Sequence, residues 1–166
     1  MQLRFAAVLS LMVLVFCPSL SAMGKADAKF TTSFHMESDE NENPKMTFKQ
    51  LANGQVRIFR RMPEFSTKDI VSFSPFPSEI GEDYGVVFRL KDNAAKRLSA
   101  ITNFNQGRWM IAQVNGRVVD GVLIDKQVDD GALVIWKGVT LQDITLFDTS
   151  LPRIGEEGKK KPKKKK

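Results

Sequence analysis

The chain has 166 residues, with 25 Lys plus Arg against 19 Asp plus Glu, one His and one Cys. A single histidine and a single cysteine exclude a multi-histidine metal site, a two-histidine proton relay and an internal disulfide. The net charge of +6 is misleading, because seven lysines lie at the C-terminal end. Without these lysines and Arg4, the chain has 17 basic and 19 acidic residues. The net charge of the body is therefore about −2, which does not indicate a nucleic-acid-binding surface.

The N-terminus has the features of a secretory signal peptide. Arg4 precedes an apolar run over residues 5–16, which is too short to span a bilayer comfortably. Small residues follow this run, and we expect cleavage after Ala22, with Ser21 or Gly24 as alternative sites. The sequence therefore predicts an exported protein, located in the periplasm or outside the cell.

Two other interpretations of this segment are a lipoprotein acylated at Cys17 and an uncleaved membrane anchor. Cleavage at the expected site removes Cys17, so the mature chain must fold without a disulfide. We divide the chain into a signal peptide (1–22), a linker (23–29), a folded domain (30–151) and a tail (152–166). A domain of about 120 residues buries roughly two thirds of its unfolded surface and needs no metal or disulfide for stability.

The first half of the domain predicts strands. Residues 30–36 alternate in the manner of a half-buried strand, and His35 points away from its apolar face, so we expect an exposed histidine. Residues 46–50 and 55–60 flank the pair Asn53-Gly54, which predicts a hairpin. Residues 65–73 predict a short helix, because Ser66 or Thr67 is a suitable cap and Asp69 falls near its first turn; prolines after it end the helix.

The second half predicts helix, hairpin, strand and helix. A helix over residues 93–104, capped by Asp92, has an apolar stripe formed by Ala94, Leu98, Ile101 and Phe104 or Asn105. Strands over residues 109–114 and 118–124 then pair through a type I′ turn at Asn115-Gly116. A strand over residues 132–137 follows, and the last helix starts at Leu141, with Thr140 and Asp143 at capping-box spacing. The predicted core comprises Phe88, Leu90, Leu98, Ile101, Ile111, Val134 and Ile135.

The order of predicted strands and helices from Tyr84 to Phe147 resembles that of the first periplasmic head domain of SecD, a membrane subunit of the bacterial protein-export machinery. It also resembles small exported proteins that carry only this head domain. The resemblance rests on the strand after Tyr84, the helix after Asp92, the Asn115-Gly116-Arg117 hairpin and the helix after Thr140. It implies an α+β fold, a mostly antiparallel sheet backed by two or three helices in a single small domain. It implies no catalytic residue and no cofactor. What it offers for function is the sheet and hairpin as a surface for binding protein.

Sites for catalysis or metal binding are sparse in this sequence. There is no Gly-rich phosphate loop, no H-E-x-x-H and no G-x-S-x-G. The carboxylates of residues 37–42 offer calcium ligands, but their spacing does not match an EF-hand, and a solvated acidic loop is the preferred interpretation. Asp125, Asp129 and Asp130 flank a turn. Trp109 and Trp136 are interpreted as core or sheet-face residues, with a ligand-stacking platform as the alternative.

The tail is expected to be disordered, because its like charges repel and no apolar stripe accompanies them. Its lysines are candidate polyanion-binding residues: Lys159, Lys160, Lys161, Lys163, Lys164, Lys165 and Lys166.

We therefore expect an exported, non-enzymatic binding or accessory domain that presents the hairpin at Asn115, Gly116 and Arg117, or a sheet edge, to a polypeptide partner. The alternative is an envelope protein tethered by its lysine tail to an anionic polymer or membrane. An enzyme ranks third, since its chemistry would have to use carboxylates and a lone histidine.

Overall fold

The computed structural model describes residues 30–79 and 81–158. The predicted signal peptide, the linker and the seven tail lysines lie outside the described residues. The strands are β1 (Thr32–Met36), β2 (Thr47–Ala52), β3 (Gln55–Arg60), β4 (Phe65–Ser66), β5 (Ile70–Pro77), β6 (Tyr84–Leu90), β7 (Trp109–Val114), β8 (Arg117–Leu123) and β9 (Ala132–Val139). The helices are α1 (Asp92–Phe104) and α2 (Leu141–Ser150). None of the helices in these ranges is long and apolar enough to cross a bilayer.

The strands form three antiparallel sheets. The largest has the order β4-β1-β7-β8, a second has the order β5-β6-β9, and β2 pairs with β3 as a separate ribbon. Both predicted hairpins are present, with positive φ at Asn53, Gly54, Asn115 and Gly116 as a type I′ turn requires. The predicted α+β class, with a mostly antiparallel sheet and two helices, is confirmed.

The two larger sheets and both helices share one core. Phe34 of β1 and Phe88 of β6 meet edge to face with ring centroids 6.2 Å apart, so the inward faces of the two sheets adjoin. Phe147 of α2 packs against Phe88 at 5.6 Å, and Leu98 of α1 is fully buried in the same cluster. Edge-to-face aromatic pairs of this kind add to the free energy gained by burying their area. Of the predicted core residues, Phe88, Leu90, Leu98, Ile111 and Ile135 are buried, Ile101 is half-buried against the core, and Val134 is not a core residue.

The β2–β3 ribbon covers the opposite face of the largest sheet. Phe59 of β3 is buried beside Ile111 of β7, and Phe48 packs against this pair. His35 lies beneath the ribbon at 6% exposure, with Nδ1 2.8 Å from the Arg60 carbonyl and its ring edge to face with Phe48. The prediction of an exposed histidine is therefore wrong. It assumed that one face of β1 meets water, whereas a second layer covers that face.

Residues 65–77 are extended where a short helix was predicted. Ser66 and Asp69 do form a capping box, but it closes only a single 3-10 turn, Thr67–Asp69. The chain then enters β5, whose prolines pair with β6 at Pro75 and Pro77. The strand tolerates both prolines because β5 is the edge of its sheet. Long-range pairing with β6 thus overrides the local helix signal.

Helix α1 is confirmed, but its buried stripe is rotated from the predicted one. Its N-cap is Lys91, and Asp92 is the first helical residue. The buried positions include Thr102, and of the two predicted ends of the stripe Asn105 is half-buried whereas Phe104 is 83% exposed. The loop between β8 and β9 explains the rotation, because the Val128 amide donates to Thr102 Oγ1 at 2.9 Å and so docks that loop on the end of α1.

The contacts of the domain continue past residue 151, the predicted boundary. The amide of Ile154 donates to the Phe73 carbonyl at 2.9 Å, and Ser72 Oγ donates to Glu157 at 2.8 Å. The Arg153 guanidinium lies 4.7 Å from the centroid of the Phe73 ring. The segment from Pro152 to Glu157 therefore contacts β5, and the prediction that the tail begins at residue 152 places the boundary too early.

Candidate functional site

The side chains of the predicted partner-binding hairpin are engaged within the domain. Asn115 Oδ1 accepts from the Thr31 amide at 3.0 Å, and Asn115 Nδ2 donates to Asp143 at 2.9 Å. Arg117 donates to the Gly138 carbonyl and to Asp143, both at 2.9 Å. These bonds attach the β7–β8 turn to the start of β1, to the first turn of α2 and to β9. A partner that used these side chains would have to break these internal bonds first.

The first turn of α2 explains why Asp143 can hold both hairpin residues. The Thr140 hydroxyl accepts from the Asp143 amide at 3.2 Å, and Asp143 Oδ2 accepts from the Thr140 amide at 3.0 Å, which is the predicted capping box. A carboxylate at a helix N-terminus is also favoured by the helix dipole. The hairpin motif therefore aligns β8, β9 and α2 with one another.

The acidic loop after β1 is used in ion pairs, not left open for a cation. Glu37 pairs with Arg57 at 2.8 Å, and Asp39 pairs with Arg108 at 2.9 Å. Glu42 accepts from Ser38 and Arg60, and the Ser38 hydrogen bond is the main cause that lowers the pKa of Glu42. Within residues 30–79 and 81–158, no group of three or more His, Cys, Asp or Glu is arranged to hold a metal ion.

His35 has no accessible position for chemistry. Burial lowers the pKa of His35 below its ordinary value of 6.5, and this outweighs the Arg60 carbonyl and the Glu64 charge, which raise it. Its second ring nitrogen lies 2.9 Å from Ser33 Oγ. Since both nitrogens are partnered and the ring is covered by the β2–β3 ribbon, the histidine is a packing residue.

A cleft lies between β8 and β9 in the described part of the chain. Each strand is the last in its sheet, so each has one edge without a strand partner. Near one end the two strands are joined by side-chain bonds, from Arg117 to the Gly138 carbonyl and from the Trp136 amide to Asp120 at 2.8 Å. Toward the loop that connects them, a cavity of about 790 Å³ lies between the strands. A volume of this size is typical of ligand sites.

The cleft is apolar inside. Leu98 of α1, Met110 of β7 and Leu133 of β9 are buried residues that line it. At its mouth, Leu123 and Trp136 are 43% and 58% exposed. Large apolar side chains that stay exposed around a cavity are the usual mark of an interaction site.

The rim of the cleft is acidic. Asp125, Asp129 and Asp130 stand on the exposed connecting loop, with Lys126 as the single basic residue among the cleft-lining side chains. The loop is held in place by Gln127, whose Nε2 donates to Ser99 Oγ on α1 at 2.7 Å. The sequence indicated only a turn here. Its carboxylates come to border an apolar cleft because the loop folds back on α1.

Trp136, which lines the cleft, packs against an aromatic neighbour outside it. Its ring meets Phe76 of β5 edge to face with centroids 6.0 Å apart. Phe76 lies over Gly85 of β6, where a Cβ atom would come within 2.2 Å of the phenylalanine ring. The absence of a side chain at Gly85 therefore gives Phe76 its place beside Trp136. Trp109, by contrast, is half-buried under the Arg57 guanidinium, which lies 5.2 Å from its ring centroid.

The sequence offered one weak signal for this cleft. Trp136 alternates with the buried Leu133 and Ile135 along β9, which places the tryptophan on the outer face of the sheet. The free edges had no local signal, since strand order depends on long-range pairing.

No protein-family model matches the chain, and no curated protein matches it in sequence. Its fold is similar to that of solved SecDF structures. One, described as "Structure and function of a membrane component SecDF that enhances protein export", gives a TM-score of 0.52 at 13% identity over 75% of this chain and 64% of that chain. Another, SecDF in a "Super-membrane-facing form", gives 0.51 at 16% identity over 74% of this chain and 19% of that one. The predicted SecD-like fold is confirmed by these likenesses.

Proposed function

We propose that the chain is an exported, non-enzymatic binding domain that engages a polypeptide in the cell envelope, with the polypeptide bound in the cleft between β8 and β9. The observation that carries the proposal is that two strand edges, neither of them paired with another strand, border one cavity with an apolar interior. An edge presents unpaired backbone N–H and C=O groups, and an extended peptide satisfies them by adding as a strand.

The lining of the cleft defines the kind of polypeptide that fits. Alternate side chains of a bound strand would point into the cavity and contact Met110 and Leu133, so they should be apolar. The carboxylates of Asp125, Asp129 and Asp130 favour lysine or arginine at the ends of the bound segment. We therefore propose an extended apolar segment flanked by basic residues as the ligand.

The fold supports the compartment and the partner class in this proposal. A SecDF chain with a similar fold is described as a membrane component that enhances protein export. Export-associated binding of polypeptides outside the cytoplasm is consistent with the signal peptide expected over residues 1–22. This protein would then be an accessory domain in the envelope that holds passing or unfolded chains.

The test is a titration of the protein into a short fluorescent peptide of alternating valine and threonine with lysine at both ends. We expect a rise in anisotropy that is lost when alternate peptide amides are N-methylated, since methylation removes the donors that a strand edge requires. Trp136→Ala should weaken binding about tenfold or more, as for a buried aromatic anchor. Leu141→Ala is the control, because Leu141 is exposed on α2 and does not line the cleft.

Charge gives a second, independent arm of the same test. Replacing the peptide lysines by glutamates should weaken binding, and Asp125→Asn with Asp129→Asn should remove the preference for lysine. Equal binding of the methylated peptide would show that the cavity takes apolar groups without strand addition. Binding that ignores Trp136→Ala, or no binding at all, would overturn the proposal.

A second candidate function rests on the seven lysines among residues 159–166, which lie outside the described residues. Here the tail tethers the protein to an anionic polymer or membrane in the envelope. Each lysine near an anionic surface contributes around 1 kcal/mol to the free energy of association, so the seven together would suffice to hold the protein at that surface. Engagement of all seven on duplex DNA, used as a model polyanion, should give a log–log salt dependence with a slope of about −6.

Deletion of residues 159–166 separates the two candidates. If the tail is a tether, the deletion should abolish polyanion association and leave the melting temperature unchanged. If the cleft binds peptide, peptide binding should survive the deletion. A deletion that changes neither localisation nor polyanion binding would remove the tether as a function.

A further inference from the structure

The β2–β3 ribbon carries an unusual share of the exposed apolar surface. Of the eight large hydrophobic side chains that are exposed in the described chain, four lie on or beside this ribbon: Met46, Leu51, Val56 and Met62. Leu51 and Val56 are 60% and 69% exposed and stand directly opposite each other as a cross-strand pair. Neither residue contributes to the cleft between β8 and β9.

The alternation of the ribbon places these side chains on its outer face. Phe48 and Phe59 are cross-strand partners that point toward His35 and Ile111. Successive residues of a strand point to opposite sides of the sheet. The side chains on the side of the ribbon away from His35 and Ile111 are therefore those of Lys49, Leu51, Val56 and Ile58. We call these four residues the outer ribbon face.

The charge on this part of the chain is of one sign. Residues 44–62 contain five lysines and arginines and no aspartate or glutamate. Arg57 and Arg60 are held in ion pairs with Glu37, Glu42 and Glu64. The other three, Lys45, Lys49 and Arg61, are exposed and make no ion pair with any residue that the structure describes.

We infer that the outer ribbon face docks on an anionic lipid bilayer, a contact separate from the proposed peptide cleft. This face combines the exposed aliphatic side chains of Leu51 and Val56 with Lys49, and the exposed residues Lys45, Met46, Arg61 and Met62 lie at the end of the ribbon beside it. Such a surface fits the bilayer interface, where apolar side chains enter the headgroup boundary and cations meet lipid phosphates. Nucleic acid is a poorer match, because the centre of the face is aliphatic. Because Leu51 and Val56 are a cross-strand pair, both side chains can reach the surface together.

Vesicle co-sedimentation tests this inference. The processed chain beginning at Met23, and the same chain ending at Gly158 to remove the lysine tail, are mixed with vesicles of phosphatidylcholine with or without phosphatidylglycerol. We expect both forms to bind the anionic vesicles. Leu51→Ser with Val56→Ser should reduce the partition coefficient of the tail-less form at least about tenfold, since burying two aliphatic side chains favours the bound state. Phe104→Ser removes an apolar residue on α1 that is even more exposed than Leu51 and Val56, and it should have no effect.

A local probe reports which face touches the membrane. Cys17 is the only cysteine and precedes Met23, so Val56→Cys gives a single site for an environment-sensitive fluorophore. Its emission should rise and shift to the blue with anionic vesicles, whereas the same dye at Phe104→Cys should not respond. Substituting Lys45, Lys49 and Arg61 by glutamine should lower binding to anionic vesicles at least about tenfold, as three surface cations imply.

The inference is overturned if the tail-less chain does not bind anionic vesicles, or if binding is unchanged by the Leu51 and Val56 substitutions. Self-association that those substitutions abolish, without vesicle binding, would instead assign the face to a contact between copies of the chain. Because the peptide assay is carried out without lipid, failure of this inference leaves the cleft proposal standing, and failure of the cleft leaves this one intact.

Discussion

Gly138→Ala should destabilise the protein more than Gly116→Ala, although both glycines have similar positive φ, +85° and +77°. Alanine in the left-handed region costs about 1–2 kcal/mol at either site. At Gly116 nothing lies within 4 Å of the added Cβ, so that cost stands alone. At Gly138 the Cβ would meet the Val119 carbonyl oxygen at 2.4 Å. That oxygen belongs to the backbone of β8 and cannot rotate away.

The clash adds an overpacking cost of about 1–3 kcal/mol. We therefore expect a loss of about 2–5 kcal/mol in the free energy of unfolding for Gly138→Ala, against about 1–2 kcal/mol for Gly116→Ala. Urea denaturation followed by far-UV circular dichroism measures both. Equal costs at the two sites would refute the close approach of β8 and β9, and with it the closed end of the cleft.

Other predictions concern the core, pH, metal and processing. Leu98→Ala should lower the free energy of unfolding by about 2–5 kcal/mol in the same denaturation assay, because Leu98 is fully buried. Burial lowers the pKa of His35 in the folded state, so the unfolded chain binds its proton first and stability should fall as the pH drops below 6.5. His35→Gln should flatten that slope between roughly pH 6.5 and 5, above the range in which carboxylates titrate. EDTA and reductant should leave the melting temperature unchanged; a large drop with EDTA would mean a metal site in the loop of residues 37–42. N-terminal sequencing of native material should start at or near Met23, and an acyl chain on Cys17 would contradict the export prediction.

Elements with strong local signals were predictable from the sequence. The two Asn-Gly pairs fixed both hairpin turns, because Asn and Gly tolerate the positive φ of a type I′ turn. The Thr140 and Asp143 pair marked the start of α2 for a similar local reason, reciprocal satisfaction of free amides. The helix predicted over residues 65–73 failed where a local cap competed with pairing to β6.

The candidate site was much less predictable. The motif singled out for a partner, Asn115 to Arg117, is a good turn whose side chains the fold uses to hold α2 and β9. The cleft, in contrast, depends on β8 and β9 both being sheet edges. No local pattern encodes an edge, since a strand next to a gap and a strand next to a partner have the same alternation.

The sequence by itself determined the two Asn-Gly turns, the start of α2, the alternation of the strands and the division of charge between the body and the lysine tail, because each depends on residues close together in the chain. Only the tertiary structure decided which faces are covered and which edges stay free. His35 is buried because the β2–β3 ribbon lies over β1, and Trp136 stays exposed because none of the described strands and helices covers its side of β9. Both outcomes depend on contacts between segments far apart in the chain, whose free energy arises only when the whole domain packs.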